Sequence, residues 1–157
     1  MGDEYVDNDN YDAVIENVSM DDMDFDDTPF EDYPSGEMEL EIVGWKKAKN
    51  GGIISTKDGK YYGMLLLAPA PNAVADPSNY DNIENYVGIP HKDSNIKDNQ
   101  KRKMSIQISK IRKCFNIDPS LPVADWGGHR GFCQIGKDDH PIFGTRFVIK
   151  KFIIDQE

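Results

Sequence analysis

"GEMELEIVGWKKAKNGG", residues 36–52, decides how this chain folds. Met38, Leu40 and Ile42 alternate with Glu37, Glu39 and Glu41. A period of two places the apolar side chains on one face of a strand and the carboxylates on the other. Gly44 breaks the alternation, and a glycine inside a strand pattern marks a bulge or a sharp bend. Beyond it Trp45 is followed by Lys46, Lys47 and Lys49, and "NGG" supplies a turn.

Working outward, "DGKYYGMLLLAP" (residues 58–69) opens on a second turn and runs into a largely apolar strand that Pro69 ends. Four prolines and scattered Asn and Asp make residues 69–100 read as a long loop, with "NYVGIP" (Asn85 to Pro90) as a short strand inside it. A loop of that length in a compact domain is usually functional or mobile. "NQKRKMSIQISKIRKCFNID" (residues 99–118) reads as a helix, because Met104, Ile108, Ile111 and Phe115 share one face. Lys101, Arg102, Lys103, Lys110, Arg112 and Lys113 crowd its ends and flanks. "DPSLPVADWGGHRG" is irregular, and "GFCQIGKDD" and "GTRFVIKKFII" are two closing strands joined by "DDHPIF". Strands around one helix, with a first strand bent so that it serves two sheets, predict a mainly β chain. The expected form is an OB-fold five-stranded barrel with one α-helix between strands 3 and 4. A mixed α+β sandwich fits the same pattern.

Charge divides the chain. Of 157 residues, 28 are Asp or Glu and 18 are Lys or Arg. Residues 1–33 hold 13 of the acidic residues and no Lys or Arg, a charge of -13, so residues 34–157 carry 15 acids against 18 bases, or +3. The acidic segment is of low complexity and too polar to offset its ordering entropy, so residues 1–33 are expected to be a disordered tail. Only "DAVIENVSM" (residues 12–20) has helical spacing in it. Residues 34–157 are expected to form one nucleic-acid-binding domain. The two cysteines, Cys114 and Cys133, make no disulfide framework, no apolar run approaches the ~20 residues of a membrane span, and the N-terminus is acidic. These features predict a soluble cytoplasmic protein.

No Ser or Cys stands in a nucleophile-elbow context and no Gly-rich phosphate loop occurs, so no enzyme chemistry is expected. His129, Cys133, His140 and Cys114 are residue types that zinc accepts, but they lack knuckle spacing, and Cys133 reads better as a small core residue. No metal or other cofactor is expected. The stronger pattern pairs aromatics with cations: Trp45 with Lys46, Lys47 and Lys49; Tyr61 and Tyr62 with Lys57 and Lys60; Trp126 and Phe132 with His129 and Arg130; Phe147 with Arg146, Lys150 and Lys151. Single-strand binders need both parts, cations for phosphates and aromatic faces for unpaired bases. Alternation sends about half of such aromatics inward, Phe147 and Trp126 first among them. The expected nucleic-acid contacts are Trp45, Lys46, Lys47, Lys49, Lys60, Tyr61, Tyr62, Tyr86, Arg130, Phe132, Arg146 and Lys150.

Two resemblances follow from these stretches. "MDFDDTPF" (Met23 to Phe30) resembles the acidic tip that ends bacterial single-stranded-DNA-binding proteins. In that family the tip recruits replication and repair proteins and competes for the DNA groove. Here it lies near the start of the chain and "EDYPSG" follows it, so the terminal carboxylate of the family's tip is missing. The resemblance implies Asp24, Phe25, Asp26, Asp27, Pro29 and Phe30 as partner-binding residues. The body, about residues 25–154, is similar to a family of small phage-encoded proteins found with replication and recombination genes and considered OB-fold single-strand binders. The matching residues are Asp24 to Asp27, Pro34 to Trp45, Lys103 to Phe115, Trp126 to Gly128 and the last two strands. The segment 69–100 departs from that pattern, being longer and richer in proline. This resemblance implies a sequence-tolerant single-stranded-DNA-binding protein of phage replication or recombination, acting in the host cytoplasm. The class set against it is an acidic DNA mimic that inhibits a DNA-processing protein.

Overall fold

The structure is a computed structural model that describes residues 17–49, 51–142 and 144–154. It is mainly β, with six antiparallel strands in one sheet and a single α-helix among the described residues. The strands are β1 (Gly36–Trp45), β2 (Ser55–Lys57), β3 (Lys60–Pro69), β4 (Ile83–Ile89), β5 (Arg130–His140) and β6 (Gly144–Phe152). The helix α1 (Asp98–Cys114) lies between β4 and β5. No helix among the described residues is long and apolar enough to cross a membrane.

The alternation in β1 is realised as read. Met38, Leu40 and Ile42 are buried, and the three glutamates between them are not. Gly44 sits at φ 151°, a conformation that costs a residue with a Cβ, and the pairing of β1 with β3 slips between Ile42 and Gly44. Val43 is the extra residue of that bulge, and it is exposed. The slip restores Trp45 to the inner face, opposite Leu65. The next turn, Asp58-Gly59, has both residues at positive φ and closes the β2–β3 hairpin.

Strand β3 is the organising strand. Its residues Leu65 to Pro69 pair with β1, its residues Lys60 to Tyr62 pair with β2, and Tyr61 to Leu67 pair with β4 on the opposite edge. Beyond β1 the sheet continues to β5 and then β6. The outer strands β4 and β6 touch without forming a ladder. Ile111 of α1 and Phe115 just past its end are buried in the core, with Ile108 half-buried against it. The helix ends in a Schellman motif: Ile117 N–H donates to Arg112 O, Asn116 N–H to Lys113 O, and Asn116 takes φ 54°. Leu65, Leu67, Ile83, Val87, Cys133 and Ile135 complete the core, each worth roughly 1.5–3 kcal/mol when fully buried if large and apolar.

Four expectations change. The sheet has six strands, not five; β2 is only three residues long, too short to leave a periodic signal. The helix therefore follows the fourth strand, not the third. The short strand expected at 85–90 is longer and starts earlier: β4 is seven residues long, and its Ile83 and Val87 are buried, so less of 69–100 is loop. The boundary at residue 33 also moves. Tyr33 is buried against Tyr80 and Phe147, with ring centroids 5.1 and 5.4 Å away, so it belongs to the body. Residues 17–32 are exposed throughout; the rest of the expected tail, including most of "DAVIENVSM", lies outside the described residues.

Candidate nucleic-acid interface

The outward face of β3 and β4 follows from their register. Tyr62 lies opposite Gly88, Met64 opposite Tyr86 and Leu66 opposite Glu84, so these residues share one side of the sheet. Tyr62 and Tyr86 are diagonal neighbours there, and their rings stack with centroids 5.6 Å apart and planes inclined by 23°. Tyr86 is 49% exposed. Leu65, Leu67, Ile83 and Val87 point the other way, into the core, while at the Gly88 end of this face the Met104 side chain of α1 lies against the strand.

The chain leaving β1 frames the pair. Lys46 N–H donates to Met64 O, which holds the segment 46–49 beside β3, and Ala48 N–H donates to Gly52 O to close its turn. A groove of about 260 Å³ results, lined by Lys46, Lys47, Lys49, Ser55, Tyr62 and Met64 among others. Lys46 Nζ lies 3.2 Å from Glu84 Oε2, an exposed pair. Lys47 and Lys49 have no ion-pair partner among the described residues. Strands, bulge and turn thus bring together five of the twelve expected contacts: Lys46, Lys47, Lys49, Tyr62 and Tyr86.

The others fall elsewhere. Lys60 and Tyr61 stand at the β2–β3 hairpin, and Tyr61 stacks on His91 at 4.5 Å with planes only 14° apart. His91 was not among the expected contacts; it sits two residues past β4, where no sequence period marks it. Arg130 and Phe132 face outward from β5, beside the β1 carboxylates. Arg130 Nε donates to Glu41 Oε1 at 2.9 Å, and Phe132, 52% exposed, lies opposite Glu39. Arg146 of β6 pairs with Asp138 at 3.4 Å. Lys150 runs its stem over Gly136, where an added Cβ would meet Lys150 Cε at 2.5 Å.

Trp45 requires a correction. It is buried, its ring lies 5.5 Å from that of Trp126, and its Nε1–H donates to Val123 O at 2.8 Å. The Gly44 bulge turned it inward, and Gly63 makes room for it: a Cβ there would meet its ring at 2.8 Å. In this conformation it has no face free for a base. Trp126 is core, as expected, and Phe147 is half-buried against the core.

The arm presents Asp24, Phe25, Asp26, Asp27, Pro29 and Phe30 at the surface. Asp26 accepts from Thr28 N–H at 3.0 Å, and bonds from Thr28 hold its carboxyl below the usual range. The arm is fastened at its root: Glu31 N–H donates to Asn79 O, and the Tyr33 hydroxyl donates to Asp81 O. Burial pushes the Tyr33 phenol well above its ordinary pKa, with the Asp81 charge adding to the effect. Phe30 to Tyr33 line a cavity of about 370 Å³ that also includes Glu84, the partner of Lys46. The arm therefore leaves the body beside the β3–β4 face.

No cluster of three or more His, Cys, Asp or Glu among the described residues is placed to hold a metal ion. Cys114 Sγ instead donates to Phe132 O, and His129 Nδ1 lies 2.8 Å from Trp126 O. Set against known proteins, the chain matches no family model and no curated protein.

Proposed function

We propose that this chain is a sequence-tolerant single-stranded-DNA-binding protein that acts by binding, not catalysis, in replication or recombination of a phage genome. The observation that carries the reading is the stacked Tyr62–Tyr86 pair, with Tyr86 exposed, beside Lys46, Lys47 and Lys49. Bases stack on such rings at roughly 1–3 kcal/mol each, whatever their identity, while the cations follow the phosphates. The strand order β4-β3-β1-β5-β6, the helix between β4 and β5, and the contact of β4 with β6 support an OB barrel, with β2 as an addition to the loop after β1. In that fold the face of the second and third barrel strands, here β3 and β4, receives oligonucleotides. The resemblance to phage-encoded binders supports the same reading.

The acidic arm, rooted beside this face, is a tethered competitor for it and a recruiting segment for replication or recombination proteins. Tethering gives it a high effective concentration at the groove. The test is anisotropy of a labelled oligo-dT strand titrated with full-length protein at two salt concentrations, with duplex DNA as control. Tighter binding to the single strand, weakened by salt, is expected. No binding to the strand at low salt would discard the reading. Tryptophan quenching is the poorer probe, since Trp45 and Trp126 are both buried.

One observation favours the DNA-mimic reading. The outer face of β1 is a row of Glu37, Glu39 and Glu41, of which only Glu41 has an ion-pair partner among the described residues. If that row and the arm imitate phosphates, a DNA-processing protein binds the chain in competition with DNA, and the chain itself binds no oligonucleotide.

A further inference from the structure

A second cationic feature stands on the other side of β4 and is not explained by the tyrosine face. Between α1, β4 and β6 lies a groove of about 390 Å³, lined by Asn85, Gln107, Lys110, Lys150, Lys151 and the apolar side chains at the end of β6. Among the described residues no carboxylate lines it. None of the three lysines has an ion-pair partner among the described residues. Cations gathered without a counter-charge repel one another, and an anion placed among them relieves that repulsion.

The way two adjacent lysines reach one groove is itself informative. In a regular strand Lys150 and Lys151 would point to opposite faces. The pairing of β5 with β6 slips here: Ile135 lies opposite Ile149, and Gln134 lies opposite Lys151. Lys150 is the extra residue of a bulge, which interrupts the alternation; both residues line the groove, while the Lys150 stem runs over Gly136 of β5. Lys110 completes the set from the helix, and the Asn85 and Gln107 amides add neutral donors. Asn85 directly precedes Tyr86, so only the width of β4, an outer strand, separates the groove from the stacked tyrosines.

We infer that this groove seats the phosphodiester backbone of the same single strand, which passes over the edge of β4 after stacking on Tyr62 and Tyr86. The inference rests on the single-strand reading, and it adds Lys110, Lys151, Asn85 and Gln107 to the binding residues. It makes the bound strand longer than the tyrosine face alone would hold.

The experiment compares full-length wild type with Lys150→Glu/Lys151→Glu and with Lys110→Glu, using labelled oligo-dT of increasing length over a range of salt. Lys103→Glu, on the same helix and outside the groove lining, is the charge control. Thermal melts check that each variant is folded, and Lys151→Gln serves if the double variant is not. The expected result is weaker binding of long oligomers, little change for the shortest that bind, and a shallower salt dependence. A single-strand contact contributes about 0.7 to the slope of log K against log salt for each phosphate neutralised. Wild-type slopes in the groove variants, or equal losses from Lys103→Glu, overturn the inference and leave the single-strand reading intact. Tighter binding by the variants also overturns it, and shows that the acidic arm occupies the groove. If wild type binds no strand at any length, the functional reading itself fails.

Discussion

Two aromatic pairs flank β3, and their environments are opposite. Trp45 and Trp126 meet at 5.5 Å inside the core; Tyr62 and Tyr86 meet at 5.6 Å on the outside. One member of each pair, Trp45 and Tyr62, comes from the same kind of sequence, an aromatic close to lysines. What separates them is parity along the strand. Tyr62 stands an odd number of residues from Leu65, and so on the opposite face. Without the bulge at Val43, strict alternation from Ile42 would have sent Trp45 to the outer face. The inner pair builds the body, and the outer pair is available to a ligand.

The sharpest way to break this comparison is to truncate one member of each pair. Trp45→Ala removes a buried ring and its bond to Val123, with an expected loss on the order of 3–5 kcal/mol in denaturant unfolding. Retention of full stability would mean that Trp45 is not core in solution. Tyr62→Ala with Tyr86→Ala should weaken oligo-dT binding by roughly 1–3 kcal/mol per ring while the melting temperature moves little. A large fall in stability with unchanged binding would reverse the roles assigned to the two pairs.

Smaller effects sharpen the picture. Changing Asp24, Asp26 and Asp27 together to Asn should tighten strand binding several-fold at low salt and have little effect at high salt, as read by anisotropy; unchanged or weaker binding would remove the arm from the groove. Tyr33→Phe keeps the ring that packs on Tyr80 and Phe147 but removes the hydroxyl bonded to Asp81 O. The native phenol ionises less readily than the unfolded one, so above pH ~10 the unfolded state releases more protons and stability falls. The Phe variant should lose less stability than wild type across that alkaline window, which urea titrations at stepped pH would measure. Last, Lys46→Ala and Glu84→Ala should each change stability by less than about 1 kcal/mol, the usual range for an exposed pair. A stronger strand affinity in Glu84→Ala would identify Glu84 as a competitor for Lys46.

Much of this was legible in the residues. Alternation in "EMELEI" set which face of β1 is buried, and Gly44 announced the irregularity that follows. The face shared by Ile108, Ile111 and Phe115 identified α1, and Asn116 supplied its left-handed end. Strand β4 was only half visible, because Pro77 and the polar residues around it outweighed four apolar ones in a mixed run. Of the expected contacts, the register gathered Tyr62 and Tyr86 with Lys46, Lys47 and Lys49. It placed Arg130 and Arg146 beside carboxylates instead.

The sequence by itself determined the charge division between arm and body, the strand and helix periods, and the supply of aromatics and cations. Those properties depend on residue identity and on spacing within one element. The tertiary structure alone decided which aromatic is core and which is surface, which cations keep a carboxylate beside them, and that Lys150 and Lys151 share a groove with Lys110. Each of these depends on a bulge or on pairing between strands far apart in the chain. A one-residue slip reverses every side chain beyond it, and no local period records where such a slip resolves.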